Sequence, residues 1–289
     1  MAILNSVWNT EELYANYVAP VLEDNVALIP GLTINPNIVQ INASAAVYYD
    51  LTDGAVTSGA AGRDYSDNEA GNARKVVPLT QSLQISEKLP KVVKETTPVE
   101  FVGRFLSNNT VKLQNRWGFL GLAALVNGGT HKKAAATTHE TIYSDIVDQV
   151  AAYDTANAEK GGATAIIVGP ATLAKLRKSE HFALNPSLNA QTVYDGHVGY
   201  VAGLPVVYAK NLDAIVAGDL PGYSAITGLE YIILNANAFL APKIYDYIEV
   251  IERSEKFPGS KLVGEVPYGF EVAHPAQVYV RVTTSTAQG

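Results

Sequence analysis

"YDGHVGYVAGLPVVYAKNL", residues 194–212, spaces glycines at 196, 199 and 203 ahead of Leu204-Pro205 and the run Val206-Val207-Tyr208. The spacing is not the G-x-G-x-x-G of a dinucleotide-binding turn, and no lysine follows as in a phosphate-binding P-loop. The stretch also lacks an acid, base and nucleophile set. What it does encode is shape: a tight turn and a buried strand, with glycines where backbones approach closely and Pro205 fixing the way into the strand.

Its surroundings repeat the theme. Upstream, "ATAIIVGPATLAKLRKS" at 163–179 predicts a buried strand, a Gly-Pro turn and a short helix, which is a β-α unit. Thr137 and Glu140 form the pattern of a capping box, and Ile142, Ile146, Val150 and Tyr153 then recur on one helical face until Gly161-Gly162. Earlier still, Thr97, Pro98 and Glu100 start the longest helix, and Gly128-Gly129 stops it. Val102, Leu106, Leu113, Trp117, Leu120 and Ala124 make its apolar stripe. At 1.5 Å per residue it runs roughly 42 Å, a length that suits an elongated subunit.

The first 97 residues divide into a short helix, an arm and a ribbon. Thr10 predicts an N-cap, Glu11 and Glu12 suit the first turn, and Pro20 ends a short helix. Residues 25–42 alternate small apolar pieces with Pro30, Gly31, Pro36 and several Asn, the pattern of an arm that must lie on something else. Val47-Tyr48-Tyr49 and Val76-Val77-Pro78-Leu79 predict two strands around "DGAVTSGAAGRDYSDNEAGNAR" at 53–74. A two-stranded ribbon is marginal alone in water, so this one is either a mobile surface loop or is ordered by a neighbouring subunit.

At the other end, strands are expected at Tyr231–Leu234 and Ile244–Arg253, followed by a turn at Phe257-Pro258-Gly259-Ser260. In the last strand Val278, Val280 and Val282 alternate with Gln277, Tyr279 and Arg281, which predicts one buried and one wet face.

Composition narrows the function. The chain has 289 residues, 47% of them hydrophobic and only 17% charged, against about 25% charged in an ordinary domain. Subunits that bury their sides against neighbours need such a surface. Cysteine is absent, which excludes disulfides, thiolate metal sites and a cysteine nucleophile. Net charge is −7, and the Lys and Arg form no long cluster, so a dedicated nucleic-acid binder is not expected. No basic-then-apolar leader precedes Trp8 and no apolar run reaches membrane-span length, so the chain is expected to be made in the cytoplasm.

Catalytic patterns fail on inspection. Gly222-Tyr223-Ser224 begins like a nucleophile elbow but has Ile226 where the second glycine belongs. His131, His139, His181, His197 and His274 are scattered, and Glu249, Glu252 and Glu255 are spaced for a charged strand edge or a loop. No cofactor and no metal site are expected. The 16 tyrosines suit interfaces instead, apolar on one side and hydrogen-bonded at the tip.

The order of pieces, with "TAIIVGPATLAKLRKSEHF" (164–182), "GHVGYVAGLPVVYAKNL" (196–212) and "KLVGEVPYGFEVAHPAQVYVRVT" (261–283), resembles the major capsid proteins of tailed bacteriophages. That resemblance implies the α+β, Hong Kong 97-type fold: an N-terminal arm at 1–42, an extended loop at 43–97 and a peripheral domain with a spine helix at 98–138. An axial domain at 139–228 and a return to the peripheral domain at 229–289 complete it. It further implies self-assembly into hexamers and pentamers enclosing double-stranded DNA without sequence-specific binding, in the capsid of a virion made in the host cytoplasm.

A separate scaffolding protein, a portal protein and a decoration protein are the implied partners, and no membrane. Inter-subunit contacts are expected from Trp8, Tyr14, Tyr17, Tyr48, Tyr49, Arg63, Tyr65, Arg74, Lys75, Val77 and Leu79. Two other readings remain: an encapsulin-type nanocompartment shell, or a soluble α/β enzyme built on the β-α unit near Gly169-Pro170.

Overall fold

The computed structural model describes residues 38–41, 45–51, 72–90, 99–158, 160–182, 197–216, 226, 228–242, 247–254 and 257–283. The predicted arm helix, most of the ribbon tip, the Thr97-Pro98 start, Ser224 and Glu255 lie outside the described residues.

The long helix α1, Val99–Gly128, is present with 30 residues. Leu113, Trp117 and Leu120 of the expected stripe are buried. They face a six-stranded mixed sheet, whose strands are β5 (Thr130–Ala134), β6 (Ala165–Val168), β7 (His197–Val201), β8 (Leu204–Tyr208), β9 (Leu229–Leu234) and β14 (Val278–Thr283). Their order is β5-β14-β9-β6-β8-β7. It therefore takes strands from both sides of the boundary expected at residue 228.

Two apolar layers sandwich the sheet, and the period-2 geometry of a strand sorts side chains between them. Ile167, Ile232, Val278 and Val280 point into the layer that contains α1 and the short helix α4, Leu212–Val216. Ile166, Val168, Tyr231, Ile233 and Tyr279 point into the other layer. That second layer is filled by Ile142, Ile146, Val150 and Tyr153 of α2 (Ile142–Ala156) and by Leu173 and Leu176 of α3 (Pro170–Lys178). Strands covered on both faces are buried throughout, as β6 and β9 are, and only Glu230 interrupts their apolar run.

This double cover corrects the expected wet face of β14. Five consecutive residues, Val278 to Val282, are buried, Tyr279 and Arg281 included. The alternation in the sequence marks apolar against polar-tipped side chains. Here the polar tips find partners inside: Tyr153 packs edge-on against Tyr279, with ring centroids 5.0 Å apart.

The capping box is corrected too. The N-cap of α2 is Thr141, without a side-chain cap, while Thr137 is buried and donates from Oγ1 to Glu230 Oε1 at 2.6 Å. The helix stops at Ala156 with Asn157 as C-cap, ahead of the expected glycines.

The opening stretch is a hairpin. β7 and β8 pair antiparallel, with Val201 opposite Leu204, so Ala202-Gly203 is a two-residue loop. Both loop residues have positive φ, 51° and 79°, the signature of a type I′ turn. At Gly199 a Cβ would come within 2.5 Å of the Phe182 ring, a close approach that glycine permits.

A second sheet joins β4 (Gln81–Pro90), β12 (Phe257–Tyr268) and β11 (Tyr247–Ser254), antiparallel in the order β11-β12-β4. Pro258 and Gly259, expected in a turn, lie inside β12. Ser254 pairs with Phe257 and Glu252 with Ser260, so two residues of β12 oppose one of β11, a bulge that accommodates the proline.

Candidate assembly surfaces

Both strands expected of the ribbon are present, joined by a third from the segment expected to be the arm. In a three-stranded sheet, β1 (Ile38–Ile41) pairs with β2 (Ala45–Leu51), and β2 pairs with β3 (Asn72–Pro78). The register sets Val47 opposite Val76, Tyr48 opposite Lys75 and Tyr49 opposite Arg74. The strands thus bring together four of the expected contact residues as two cross-strand pairs. Trp8, Tyr14, Tyr17, Arg63 and Tyr65 lie outside the described residues.

Val77 and Leu79 have a different environment from their neighbours. Both are buried, in one small cluster with Leu240 of strand β10 (Phe239–Leu240), which pairs with β13 (Glu271–Val272), and they anchor the root of the ribbon within the same chain. Val76 beside them is 45% exposed. The alternation Val76-out, Val77-in, Pro78-out, Leu79-in is readable in the burial along the strand and is the ordinary consequence of strand pleating.

Several buried titratable groups of the described residues pair with one another. Arg281 Nε and Nη2 donate to Asp145 Oδ2 and Oδ1 at 3.0 and 3.1 Å, a bidentate pair, and Nη2 also reaches the Ala135 carbonyl at 3.1 Å. Tyr231 adds its hydroxyl to Asp145 Oδ2 at 2.6 Å. Burial first, and the hydrogen bond to Asp145 second, push the Tyr231 hydroxyl well above the usual tyrosine pKa. Burial does the same to Tyr153, whose hydroxyl donates to the Gln277 carbonyl at 3.1 Å.

Glu230 Oε1 accepts from Lys175 Nζ at 2.8 Å and from both the backbone N–H and the hydroxyl of Thr137. Asp213 Oδ2 accepts from the Ala171 N–H at 3.2 Å, capping α3 from another helix. These clusters join helices to the sheet; none sets a nucleophile against a free base. Among the described residues no group of three or more metal-ligating side chains converges, and no helix is long and apolar enough to cross a membrane.

The arrangement of these elements as a whole is similar to that of solved capsid structures. The capsid structure of the cyanophage P-SCSP1u matches with a TM-score of 0.61 at 14% identity, over 85% of this chain and 85% of that one. The chain has the Hong Kong 97-type capsid fold.

A structure from Mycobacterium phage Che8 matches with a TM-score of 0.60 at 18% identity, covering 83% of this chain and 85% of that one. The asymmetric unit of the bacteriophage PhiM1 mature capsid matches at 0.59 and 11% identity, over 86% and 84%. No protein-family model and no curated protein matches the sequence. The likeness lives in the path of the backbone, with few shared letters.

Sequence reasoning missed β4. Its signal was present: Leu83 and Ile85 are half-buried and alternate with exposed Ser82, Gln84 and Ser86. It also missed Val76, an exposed apolar residue beside two buried ones, which only the burial distinguishes.

Proposed function

We propose that this chain is a major capsid protein that assembles into pentamers and hexamers, tiling the icosahedral head of a tailed phage around packaged double-stranded DNA. The observation that carries the reading is the likeness to capsid structures over more than four-fifths of the chain. The ribbon supports it, because β3, rooted by Val77 next to Leu79, stands at the end of its three-stranded sheet and among the described strands has one unpaired edge to offer a neighbour.

Closure follows from heterologous contacts whose rotation completes a ring. Each contact is individually weak, about 4–8 kcal/mol, so that a misplaced subunit can leave, and many contacts per subunit make the finished shell durable. The arm at 1–42 and the loop at 43–97 are the pieces that reach neighbours, through Trp8, Tyr14, Tyr17, Tyr48, Tyr49, Arg63, Tyr65, Arg74 and Lys75. Separate scaffolding, portal and decoration proteins assist in the host cytoplasm.

The test is deletion of residues 55–73, followed by negative-stain electron microscopy of the chain expressed with its assembly partners. A folded, soluble subunit that closes no shells is the expected result; normal particles would count against the reading. Cargo protein in place of nucleic acid inside wild-type particles would point to a nanocompartment.

A further inference from the structure

Charge is distributed along this chain in blocks. Residues 1–62 contain Glu11, Glu12, Glu23, Asp24, Asp50 and Asp53 and no Lys or Arg. Residues 101–139 contain Arg104, Lys112, Arg116, Lys132 and Lys133 and no Asp or Glu. In a protein of net charge −7 the spine helix is thus a basic island.

The structure puts three of those cations on one surface. Arg104, Asn108, Val111, Lys112, Asn115 and Arg116 are all exposed, and at 100° per residue they share one face of α1. The opposite face carries Leu113, Trp117 and Leu120 into the core. The helix has no acid beyond Glu100, and the Lys112 ammonium donates to the side-chain carbonyl of Asn109 at 3.5 Å.

Where α1 passes α4 the basic face dips into a recess of about 300 Å³ lined by Lys112, Asn115, Arg116, Phe119, Asn211 and Ala214. Phe119 gives it an apolar wall, and the Arg116 guanidinium sits 5.4 Å from the centre of that ring. The recess therefore suits a side chain that is apolar or aromatic and that has carboxylates beside it in sequence. Duplex DNA offers the charge but has no side chain to fill the hollow.

We infer that this recess and the basic face around it dock the acidic, aromatic N-terminal segment of a sister copy. Glu11 and Glu12 meet Lys112 and Arg116, and the Leu13-Tyr14 pair enters the hollow against Phe119. Those four residues are consecutive, so one short piece of chain brings both carboxylates and the ring to the site. The inference rests on the capsid reading and gives the arm a specific destination on its neighbour.

The absence of cysteine makes the test clean. A tagged Leu13→Cys copy and an untagged Ala214→Cys copy are co-expressed, oxidised mildly and resolved on a non-reducing gel, with particles counted by electron microscopy in parallel. A disulfide linking the two different copies is expected. Lys112→Glu/Arg116→Glu should abolish that link and reduce particle number at least tenfold, and adding Glu11→Lys/Glu12→Lys in the same chain should restore both.

A far-ultraviolet circular dichroism spectrum and a urea midpoint unchanged by Lys112→Glu/Arg116→Glu keep the comparison to docking. Failure of the disulfide to form, or its formation only within one chain bearing both cysteines, overturns the inference. So does a charge reversal that leaves the link and the particle count intact and alters only the DNA retained. If wild-type chains make no particles at all, the capsid reading falls, and the inter-copy disulfide still decides the docking.

Discussion

Arg281 is 3% exposed, and its charge is tolerated because Asp145 meets it with two hydrogen bonds while the Ala135 and Val282 carbonyls accept from the rest of the guanidinium. Removing one partner of such a pair strands the other, at a cost of about 3–5 kcal/mol, whereas an apolar replacement of both is often close to neutral. Asp145→Ala is therefore expected to lower unfolding stability by several kcal/mol in urea, and Asp145→Leu/Arg281→Met by much less. Equal losses would mean that the pair contributes more than the burial argument allows. Tyr231 and Tyr153 make a prediction in pH. Both hydroxyls hold their protons more tightly in the folded than in the unfolded chain, so their contribution is complete below the unfolded tyrosine value near 10. Above that pH the unfolded chain loses protons that the folded one retains, and stability falls by up to about 1.4 kcal/mol per pH unit for each tyrosine. Titration of absorbance at 295 nm should show tyrosines that ionise only with unfolding.

At the scale of elements, the β7–β8 hairpin turns on two residues, and the first of them is Ala202 at φ 51°. An L-residue with a Cβ is strained there, while Asn is tolerated and Asn-Gly is the favoured pair in a type I′ turn. Ala202→Asn is expected to raise the stability of the chain by several tenths of a kcal/mol to about 1 kcal/mol, read as a higher urea midpoint at unchanged slope. The same hairpin shows what was legible in the sequence. Glycines, Pro205 and the Val-Val-Tyr run predicted turn and strand because those preferences are local. The helices were legible for a like reason: Ile142, Ile146, Val150 and Tyr153 are all buried, as their spacing required. The state of β14 was not, because what covers its second face is α2, more than a hundred residues earlier in the chain. Thr137 was misread for the same cause. A local pattern offered it a helix N-terminus, and distant Glu230 and Lys175 gave it a better use. The Pro258 bulge likewise depends on a partner strand that the sequence does not announce.

For the molecule as a whole, the proposed assembly would draw on side chains that folding does not use, and the ribbon root separates the two at adjacent positions. Val77 is 1% exposed and packs with Leu79 and Leu240, so a carboxylate there must be buried without a partner. Val77→Asp is expected to cost the isolated chain several kcal/mol of stability and with it the expressed yield. Val76, on the other side of the pleat, is 45% exposed, and a surface change of this kind ordinarily stays within about 0.5 kcal/mol. If the ribbon meets a neighbour as proposed, Val76→Asp leaves the urea midpoint of the isolated subunit where it was and lowers the number of closed shells in the electron microscope. The contrast also discriminates between the readings. A subunit that works alone gives both substitutions only their folding cost, so Val76→Asp is then silent in every assay, whereas a shell multiplies one faulty contact by the number of copies that must make it.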